Sequence, residues 1–285
     1  MKKILVLGAS GMAGHVVYTY LTENSTHQII GTTNSTSFGD DTIELDIFNI
    51  EKLESTLKQY QPDVVINCVG MLIRGSKQYP DKTIYCNAYF PHLLKRLINE
   101  SGGELIHIST DCVFSGKDGG YTENSFKDAV DLYGMSKSLG EINDDINLTI
   151  RTSIIGPELK EYGEGLFHWF INQKGSVTGF KSNYWSGVTT LELAKFLKWA
   201  LDKKISGLYH LTNSQPISKF DLLNTFKDVY SKNVIINDHK DYVCNKSFIN
   251  TNKSVGYGVV GYSQMLHEQK TFMLEHKDFY KHYEL

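Results

Sequence analysis

A tyrosine and a lysine four residues apart, Tyr133 and Lys137, are the side chains of this chain best suited to moving a proton. Residues at that spacing share one face of a helix, and an ammonium beside a phenol favours the phenolate. The pKa of a tyrosine, about 10 when unperturbed, would then fall towards neutral pH. Thr110, at the end of a predicted strand, could place its hydroxyl beside the same phenol. The spacing also occurs by chance on solvated helix faces, so the assignment depends on the surrounding elements.

Three glycines near the N-terminus form the second motif. Residues 3–7 are an almost continuous apolar run, followed by Gly8, Gly11 and Gly14 and then by a helical run over residues 15–21. This order predicts a buried strand, a tight turn and a helix N-terminus, whose free N–H groups bind an anion such as a dinucleotide pyrophosphate. Gly8 would allow the turn, Gly11 the approach of backbone to phosphate, and Gly14 the packing of helix on strand. An ordinary βα turn also uses glycine.

Further cofactor contacts are expected at the ends of the next strands. A strand over residues 28–31 leads into a hydroxyl-rich loop, residues 32–37, where the adenosine ribose should lie. The loop has neither the acid typical of NAD sites nor the arginine typical of NADP sites. Because no carboxylate would repel a 2′-phosphate, NADP(H) is slightly favoured over NAD(H). A merely polar loop is nearly as good an explanation. Asp46 could meet the adenine, and the strand over residues 63–67 ends in small residues. The predicted cofactor contacts are Gly8, Ser10, Gly11, Met12, Gly14, Asn34, Asp46, Ile47, Cys68, Val69, Gly70, Asn87, Tyr133 and Lys137.

Strand and helix patterns alternate over the first 153 residues, which predicts an α/β fold with a Rossmann-like, doubly wound parallel sheet. Residues 71–78 are expected to form a loop, and the helix over residues 81–100 should be kinked or interrupted by Pro91. From Gly156 onward the pattern is less regular. We therefore expect a dinucleotide-binding domain over residues 1–153 and a smaller α/β substrate domain over residues 154–285, with a helix near residues 188–204 returning to the first domain.

Composition limits the classes of partner. The chain has 285 residues and a net charge of −3, without a basic cluster, so nucleic acid is not an expected partner. The N-terminus is expected to be a poor secretory signal, because its short apolar run enters the glycine turn instead of a cleavage site, and no other apolar stretch approaches membrane-spanning length. The four cysteines lack paired spacing, which is typical of reduced cytosolic thiols, and the ten histidines lack metal-ligand spacing. The sequence thus predicts a cytoplasmic protein that binds small molecules and no metal; a homodimer is compatible with it.

Taken together, these motifs resemble the extended branch of the short-chain dehydrogenase/reductase superfamily over nearly the whole chain, and within it the dTDP-4-dehydrorhamnose reductase type. Residues 109–116, 133–141, 151–153 and 207–210 carry the resemblance. It implies that Thr110, Tyr133 and Lys137 are the catalytic set. It also implies that a nicotinamide dinucleotide reduces the C4 ketone of a nucleotide-linked 4-keto-6-deoxy sugar, in the synthesis of bacterial surface-polysaccharide precursors. The substrate contacts would be Met71, Arg74, Thr110, Asp111, Cys112 and Ile154.

Two positions depart from the pattern of that family. Rhamnose-type reductases usually carry aromatic residues where this chain has Cys112 and Ile154. The sugar of the substrate, or its nucleotide, could therefore differ from that of those enzymes. Cys112 is similar in position to the catalytic cysteine of GDP-fucose synthases, which epimerise before reducing, and His168 is a candidate partner. The simpler interpretation is that Cys112 packs as a small apolar residue and His168 is a structural histidine. Arg151 could contact substrate phosphate or finish a strand.

An interpretation of another class is a non-catalytic, cofactor-binding regulatory subunit, like the one associated with methionine adenosyltransferase. Retention of Tyr133 and Lys137 argues for turnover instead.

Overall fold

The computed structural model describes residues 1–34, 38, 39 and 42–284, without the side chain of Lys253. The strands are β1 Lys3–Leu7, β2 Gln28–Thr33, β3 Thr42–Glu44, β4 Val64–Asn67, β5 Glu104–Thr110, β6 Leu148–Thr152, β7 Ile154–Ile155, β8 Gly175–Phe180, β9 Asn183–Trp185, β10 Val188–Thr189, β11 Gly207–His210, β12 Ile217–Ser218, β13 Val234–His239 and β14 Cys244–Asn245. The α-helices are α1 Met12–Asn24, α2 Ile50–Tyr60, α3 Ile73–Gln78, α4 Pro80–Ile84, α5 Phe90–Glu100, α6 Leu132–Leu139, α7 Leu166–Ile171, α8 Thr190–Asp202, α9 Lys219–Val229 and α10 Tyr262–Glu275.

Within the described residues, the central sheet has seven strands in the order β11-β6-β5-β4-β1-β2-β3. The pairs from β3 through β5 are parallel. The strand order runs outward in both directions from β1 and β4, which makes the gap between these two strands the switch point where doubly wound sheets bind their ligands. The prediction of an α/β fold with a doubly wound, Rossmann-like sheet is therefore confirmed.

Apolar packing on the sheet explains the continuous hydrophobic strands. Residues 4–7 of β1 are fully buried, as expected for a parallel strand covered on both faces. One core cluster joins the sheet to α2 and α5; its members include Leu5, Leu7, Leu53, Leu57, Val65, Phe90, Leu94, Ile98 and Leu105. On α1, the side chains of Val16, Val17 and Leu21 are completely buried. Two apolar layers thus hold the strand ends in fixed positions.

The region after β4 differs from its prediction. Residues 71–78 were expected to form a loop, and this is wrong, because Ile73–Gln78 form α3. The Ser76 hydroxyl donates to the Leu72 carbonyl at 2.9 Å and stabilises this short helix. The interruption predicted near Pro91 is present as a π-helical turn, Tyr85–Tyr89, directly before α5.

The chain divides into two compact units, each made of separate segments. The first consists of Met1–Phe114, Lys127–Arg151 and Ala194–Tyr209, and the second of Ser115–Phe126, Thr152–Leu193 and His210–Leu285. Residues 115–126 therefore differ from the predicted division, since they lie within the range 1–153 but belong to the second unit. Residues 194–209, which include most of α8, belong to the first unit.

The second unit contains short sheets and the helices α7, α9 and α10. Its strand pairs are β10 with β7 and β13 with β8, and β12-β9-β14 form a three-stranded sheet. At α9, the Ser218 hydroxyl accepts from the Asp221 N–H at 3.0 Å and donates to the Asp221 carboxylate at 2.6 Å, so Ser218 caps the helix N-terminus.

Candidate active site

The glycine turn after β1 has the geometry of an anion-binding βα turn. Gly8 has φ +78°, a conformation that favours glycine. The Gly11 N–H donates to the Gly8 carbonyl at 2.9 Å, and Gly11 is the N-cap of α1, so no side-chain oxygen of that residue occupies the helix N-terminus. A Cβ on Gly14 would lie 2.0 Å from the Gly8 carbonyl oxygen. The turn therefore requires Gly8 and Gly14, and it fits a dinucleotide pyrophosphate at the start of α1. The other predicted contacts here, Ser10 and Met12, lie in the turn and at the first residue of α1.

At the ends of β2 and β3, the predicted adenosine contacts occupy different surroundings. Asn34 and Asp46 are exposed, and the Asp46 carboxylate accepts the Phe48 N–H at 3.0 Å. Ile47 is buried, and its carbonyl accepts the Tyr85 hydroxyl at 2.8 Å. Residues 35–37 of the predicted ribose loop lie outside the described residues. The described residues 32–34 carry no charged side chain.

The end of β4 lies beside the glycine turn. A Cβ on Gly8 would lie 3.1 Å from Val69 Cγ2, so residues 68–70 border the same crevice. Asn87, in the π-helical turn, donates to the Met71 carbonyl at 2.9 Å and to the Ser136 hydroxyl at 3.2 Å, and it accepts the Met71 N–H at 2.8 Å. Both of its amide hydrogens are thus used to join the segment after β4 to α6.

Thr110 and Tyr133 are brought together where β5 meets α6. The Thr110 hydroxyl acts directly on the Tyr133 phenol and lowers its pKa, against the larger effect of burial. The Thr110 hydroxyl also accepts the Cys112 N–H at 3.1 Å and donates to the Asp111 carboxylate at 3.1 Å. Thr110 is buried and Tyr133 is half-buried. The two hydroxyls can therefore act on a single substrate oxygen.

Helix α6 approaches β5 closely because of a glycine beside the tyrosine. The Asp131 carboxylate caps α6 by accepting the Gly134 N–H at 2.9 Å. A Cβ on Gly134 would lie 2.1 Å from the Cys112 carbonyl oxygen, and one on Gly140 would lie 1.9 Å from the Asn87 carbonyl oxygen. Sequence reasoning missed Asp131, Gly134 and Gly140. The signal available was position: Asp131 directly precedes α6, Gly134 lies within it, and Gly140 directly follows it.

Lys137 is buried on the same helix, one turn after Tyr133. Its Nζ donates to the Ile108 carbonyl at 2.6 Å and lies 3.5 Å from Nε2 of His107. Burial lowers the pKa of Lys137 to about 8, while the charge of Glu141 acts in the opposite direction. Burial likewise raises the pKa of the Cys68 thiol to about 12.

The predicted lowering of the Tyr133 pKa by Lys137 is wrong for the protein alone. Burial raises the pKa of Tyr133, the nearby Cys112, Asp111 and Asp131 add to the rise, and the Thr110 hydrogen bond acts against it. The physical reason is that the Lys137 ammonium donates to the Ile108 carbonyl instead of stabilising the phenolate. The cost of removing the phenolate from water therefore decides the direction of the Tyr133 pKa shift.

The predicted substrate contacts are distributed over both units. In the first unit Met71 and Cys112 are half-buried, Asp111 is buried, and Arg74 is exposed on α3. Ile154 is half-buried in β7 of the second unit.

Arg151 is held inside the first unit by an ion pair. Its Nε and Nη2 donate to the two carboxylate oxygens of Glu141 at 2.8 Å and 2.7 Å. The same carboxylate accepts Ser109 Oγ at 2.7 Å and Lys127 Nζ at 3.1 Å. Burial alone would raise the pKa of Glu141, but Arg151 and Lys127 outweigh it and hold that pKa below its usual value. These contacts favour the structural interpretation of Arg151.

His168 is buried in the second unit, and contacts within that unit engage both of its ring nitrogens. Nε2 faces the Gly163 N–H at 3.2 Å, and Nδ1 lies 2.7 Å from the Tyr283 hydroxyl. Because Nε2 accepts from a backbone N–H, the hydrogen is on Nδ1 and is donated to Tyr283. This arrangement favours a structural histidine over an acid or base for epimerisation.

The described residues contain neither a metal-ligand cluster nor a membrane-spanning helix. Among the described residues, no three His, Cys, Asp or Glu side chains come together as ligands for a metal ion. Within the same part of the chain, no helix combines the length and apolar character needed to cross a membrane.

Comparison with known proteins adds independent information. A family model described as the RmlD substrate binding domain matches residues 1–240. The probable low-salt glycan biosynthesis reductase Agl14 of Haloferax volcanii is 28% identical over 237 residues, covering 76% of this chain and 76% of that protein. Methionine adenosyltransferase 2 subunit beta of Xenopus tropicalis is 23% identical over 251 residues, covering 81% of this chain and 72% of that protein. The crystal structure of dTDP-4-dehydrorhamnose reductase from Bacillus anthracis in complex with NADP has a TM-score of 0.80 at 18% identity, covering 95% of this chain and 99% of that chain. This likeness confirms the Rossmann-like fold.

Proposed function

Because the chain belongs to the RmlD substrate binding domain family, we propose that it is an NAD(P)H-dependent reductase of a nucleotide-linked 4-keto-6-deoxy sugar, acting on the C4 ketone. The product would serve as a precursor of surface polysaccharide. NADPH is proposed as the slightly preferred cofactor, because residues 32–34 carry no carboxylate to repel a 2′-phosphate.

The observation that carries this proposal is that the Thr110 hydroxyl lies beside the Tyr133 phenol and acts to lower its pKa, with Lys137 one helical turn away. The three residues come from two neighbouring elements, β5 and α6, at the carboxyl end of the sheet that also holds the glycine turn. A merely solvated helix face would not bury Lys137 or pair the phenol with a strand-end hydroxyl.

The reduced nicotinamide, when bound, supplies the hydride. As the ketone oxygen gains negative charge, the Tyr133 phenol donates its proton to that oxygen, and its raised pKa in the protein alone keeps the proton on the phenol beforehand. The Thr110 hydroxyl holds the same oxygen in place. Lys137 Nζ lies close to Gly70, since a Cβ on Gly70 would be 4.0 Å from it. From there Lys137 would hold the nicotinamide ribose.

The test is an assay of the purified full chain with NADPH or NADH and 4-keto-6-deoxy sugars linked to dTDP, UDP or GDP. We expect oxidation of the cofactor with one of these nucleotides. Absence of turnover with all three would count against the reductase proposal.

Tyr133→Phe removes the proton donor and keeps the ring, so we expect kcat to fall about 10²–10⁴-fold, the contribution typical of a general acid. Tyr162→Phe is the matched control, because Tyr162 is 89% exposed in the second unit. Unchanged turnover in Tyr133→Phe would refute the role of this phenol.

A second candidate function is a non-catalytic regulatory subunit, which the similarity to methionine adenosyltransferase 2 subunit beta over 81% of the chain supports. It predicts dinucleotide binding without turnover, and co-purification with a methionine adenosyltransferase catalytic subunit. Measurable sugar reduction that depends on Tyr133 would exclude this candidate as the sole function.

A further inference from the structure

The amino group of Lys137 has a neighbour to which the proposed reaction gives no role. His107 is fully buried on β5, and its Nε2 lies 3.5 Å from Lys137 Nζ, while Nζ donates to the carbonyl of the next residue, Ile108, at 2.6 Å. A neutral imidazole has one nitrogen that donates and one that accepts. The effect of His107 on Lys137 therefore depends on which nitrogen carries the hydrogen.

The orientation of Asn67 determines that tautomer. Asn67 Oδ1 accepts the Val69 N–H at 3.1 Å, which leaves its Nδ2 facing Nδ1 of His107 at 3.1 Å. An amide nitrogen only donates, so Nδ1 must accept and the hydrogen of the imidazole must be on Nε2. The opposite orientation of Asn67 would place its amino group against the Val69 N–H and leave that donor unpaired.

With the hydrogen on Nε2, His107 directs an N–H at Lys137 Nζ. A neutral amine satisfies both of its contacts, because it gives one hydrogen to the Ile108 carbonyl and accepts from Nε2 with its lone pair. An ammonium has no lone pair and would oppose the imidazole N–H with a hydrogen of its own.

A nearby carboxylate acts on Lys137 in the opposite direction. The carboxylate of Glu141, one turn further along the chain, favours the ammonium, but burial outweighs it and lowers the pKa of Lys137 to about 8. The thiol of Cys68, after β4, is uncharged there, because burial raises its pKa to about 12. Burial, together with the charges of Lys137 and His92, lowers the pKa of His107 well below its usual value, so the imidazole stays neutral.

We propose that Asn67 and His107 form a hydrogen-bonded pair that favours the neutral amine of Lys137 over its ammonium. His107 is a positioning residue, because it acts through Lys137. The inference deepens the proposed reductase function and rests on it only for the effect on turnover.

The tautomer can be measured in the unmodified protein. Long-range ¹H–¹⁵N NMR of the full chain, labelled with ¹⁵N-histidine, distinguishes the two neutral tautomers, and the spectrum of His107→Gln identifies the His107 signals. We expect the Nε2–H form at neutral pH. A hydrogen on Nδ1, or on both nitrogens, would overturn the proposal.

The charge of Lys137 is measured separately by the pH titration of its ¹³Cε signal, identified with Lys137→Arg. We expect a midpoint near pH 8. In His107→Gln the midpoint should rise by about one pH unit or more, a tenfold change in the protonation equilibrium, because the glutamine oxygen can accept from the ammonium. A wild-type midpoint at the ordinary lysine value of about 10.4, or an unchanged midpoint in a folded His107→Gln, would contradict the proposal.

His92→Gln is the matched control, since His92 is exposed and contacts the Leu139 carbonyl instead of Lys137. Its Lys137 midpoint should match that of the wild type, because the substitution leaves every contact of Lys137 in place. If His107→Gln fails to fold, the wild-type tautomer and midpoint still decide the question. If the His107 tautomer and the Lys137 midpoint are as expected but no sugar is reduced, the reductase function is contradicted and the role of the Asn67–His107 pair is still supported.

Discussion

At the scale of single residues, the contact that matters most is that of the Thr110 hydroxyl with the Tyr133 phenol, on which it acts to lower the pKa. The sequence predicted these two residues and Lys137 as a set, because their order and spacing were informative. It did not predict that the pKa of Tyr133 is raised, since burial and the direction of the Lys137 side chain are properties of the folded chain. The phenol therefore begins the proposed reaction as a well-protonated donor.

Thr110→Val should separate the effect of the hydroxyl from that of the side-chain shape. Valine keeps the branched shape but removes the hydroxyl that lowers the pKa of Tyr133 and that we propose holds the substrate oxygen, so we expect kcat/KM to fall by about 10²-fold. Thr110→Ser, which keeps the hydroxyl, should retain most of the activity. Steady-state kinetics with the best nucleotide sugar give the comparison, and equal rates in both variants would show that the hydroxyl is dispensable.

At the scale of elements, the site depends on how closely α6 approaches the end of β5. Gly134 sets that distance, because its Cα faces the Cys112 carbonyl with no room for a side chain. Without this approach, Tyr133 could not reach Thr110. The adjacent glycine is thus as necessary for the geometry as the tyrosine itself.

Gly134→Ala should consequently impair both stability and turnover. Its Cβ would overlap the Cys112 carbonyl oxygen at 2.1 Å, and such overpacking typically costs about 1–3 kcal/mol. Gly258→Ala is the control, because a Cβ there would meet nothing within 4 Å. Urea denaturation and kcat measured on both variants test the expectation; a Gly134→Ala protein as stable and active as the control would contradict it.

The elements also show what the sequence could predict. The continuous apolar runs and the helical spacing of residues 50–60 predicted β1, β4, β5 and α2, because local periodicity determines such elements. The helix α3 was missed, since a glycine and a serine within six residues resemble a loop. The close approach at Gly134 could not be inferred, because it depends on a carbonyl more than twenty residues earlier in the chain.

At the scale of the whole molecule, each unit is assembled from segments that are distant in sequence. Residues 115–126 leave the first unit shortly after β5, and residues 194–209 return to it through α8 and β11. The sequence predicted the return of a helix near residues 188–204 but not the departure of residues 115–126. Composition and periodicity do not distinguish that departing segment from its neighbours, because unit membership is decided by contacts between segments far apart in the chain.

Within the first unit, Glu141 joins side chains from separate elements into one buried cluster. Arg151 and Glu141 are only 1% and 4% exposed, and Ser109 and Lys127 complete the carboxylate's hydrogen bonds. Removing one partner of such a pair leaves a buried charge uncompensated, which typically costs about 3–5 kcal/mol. We therefore expect Glu141→Gln to destabilise the protein by about that amount at neutral pH, whereas the exposed pair of Lys281 and Asp278 provides a control in Lys281→Gln, which should have little effect.

The pH dependence tests whether the charge of Glu141 is the cause. Its pKa is lower in the folded protein than in the unfolded chain, so its contribution to stability is complete above the ordinary glutamate value of about 4.3 and is lost as the pH falls through the lowered folded value. The difference in unfolding free energy between wild type and Glu141→Gln should accordingly shrink as the pH is reduced below that value. Urea denaturation of both proteins across this range gives the difference, and a difference that stays constant would mean that the loss comes from packing instead of charge.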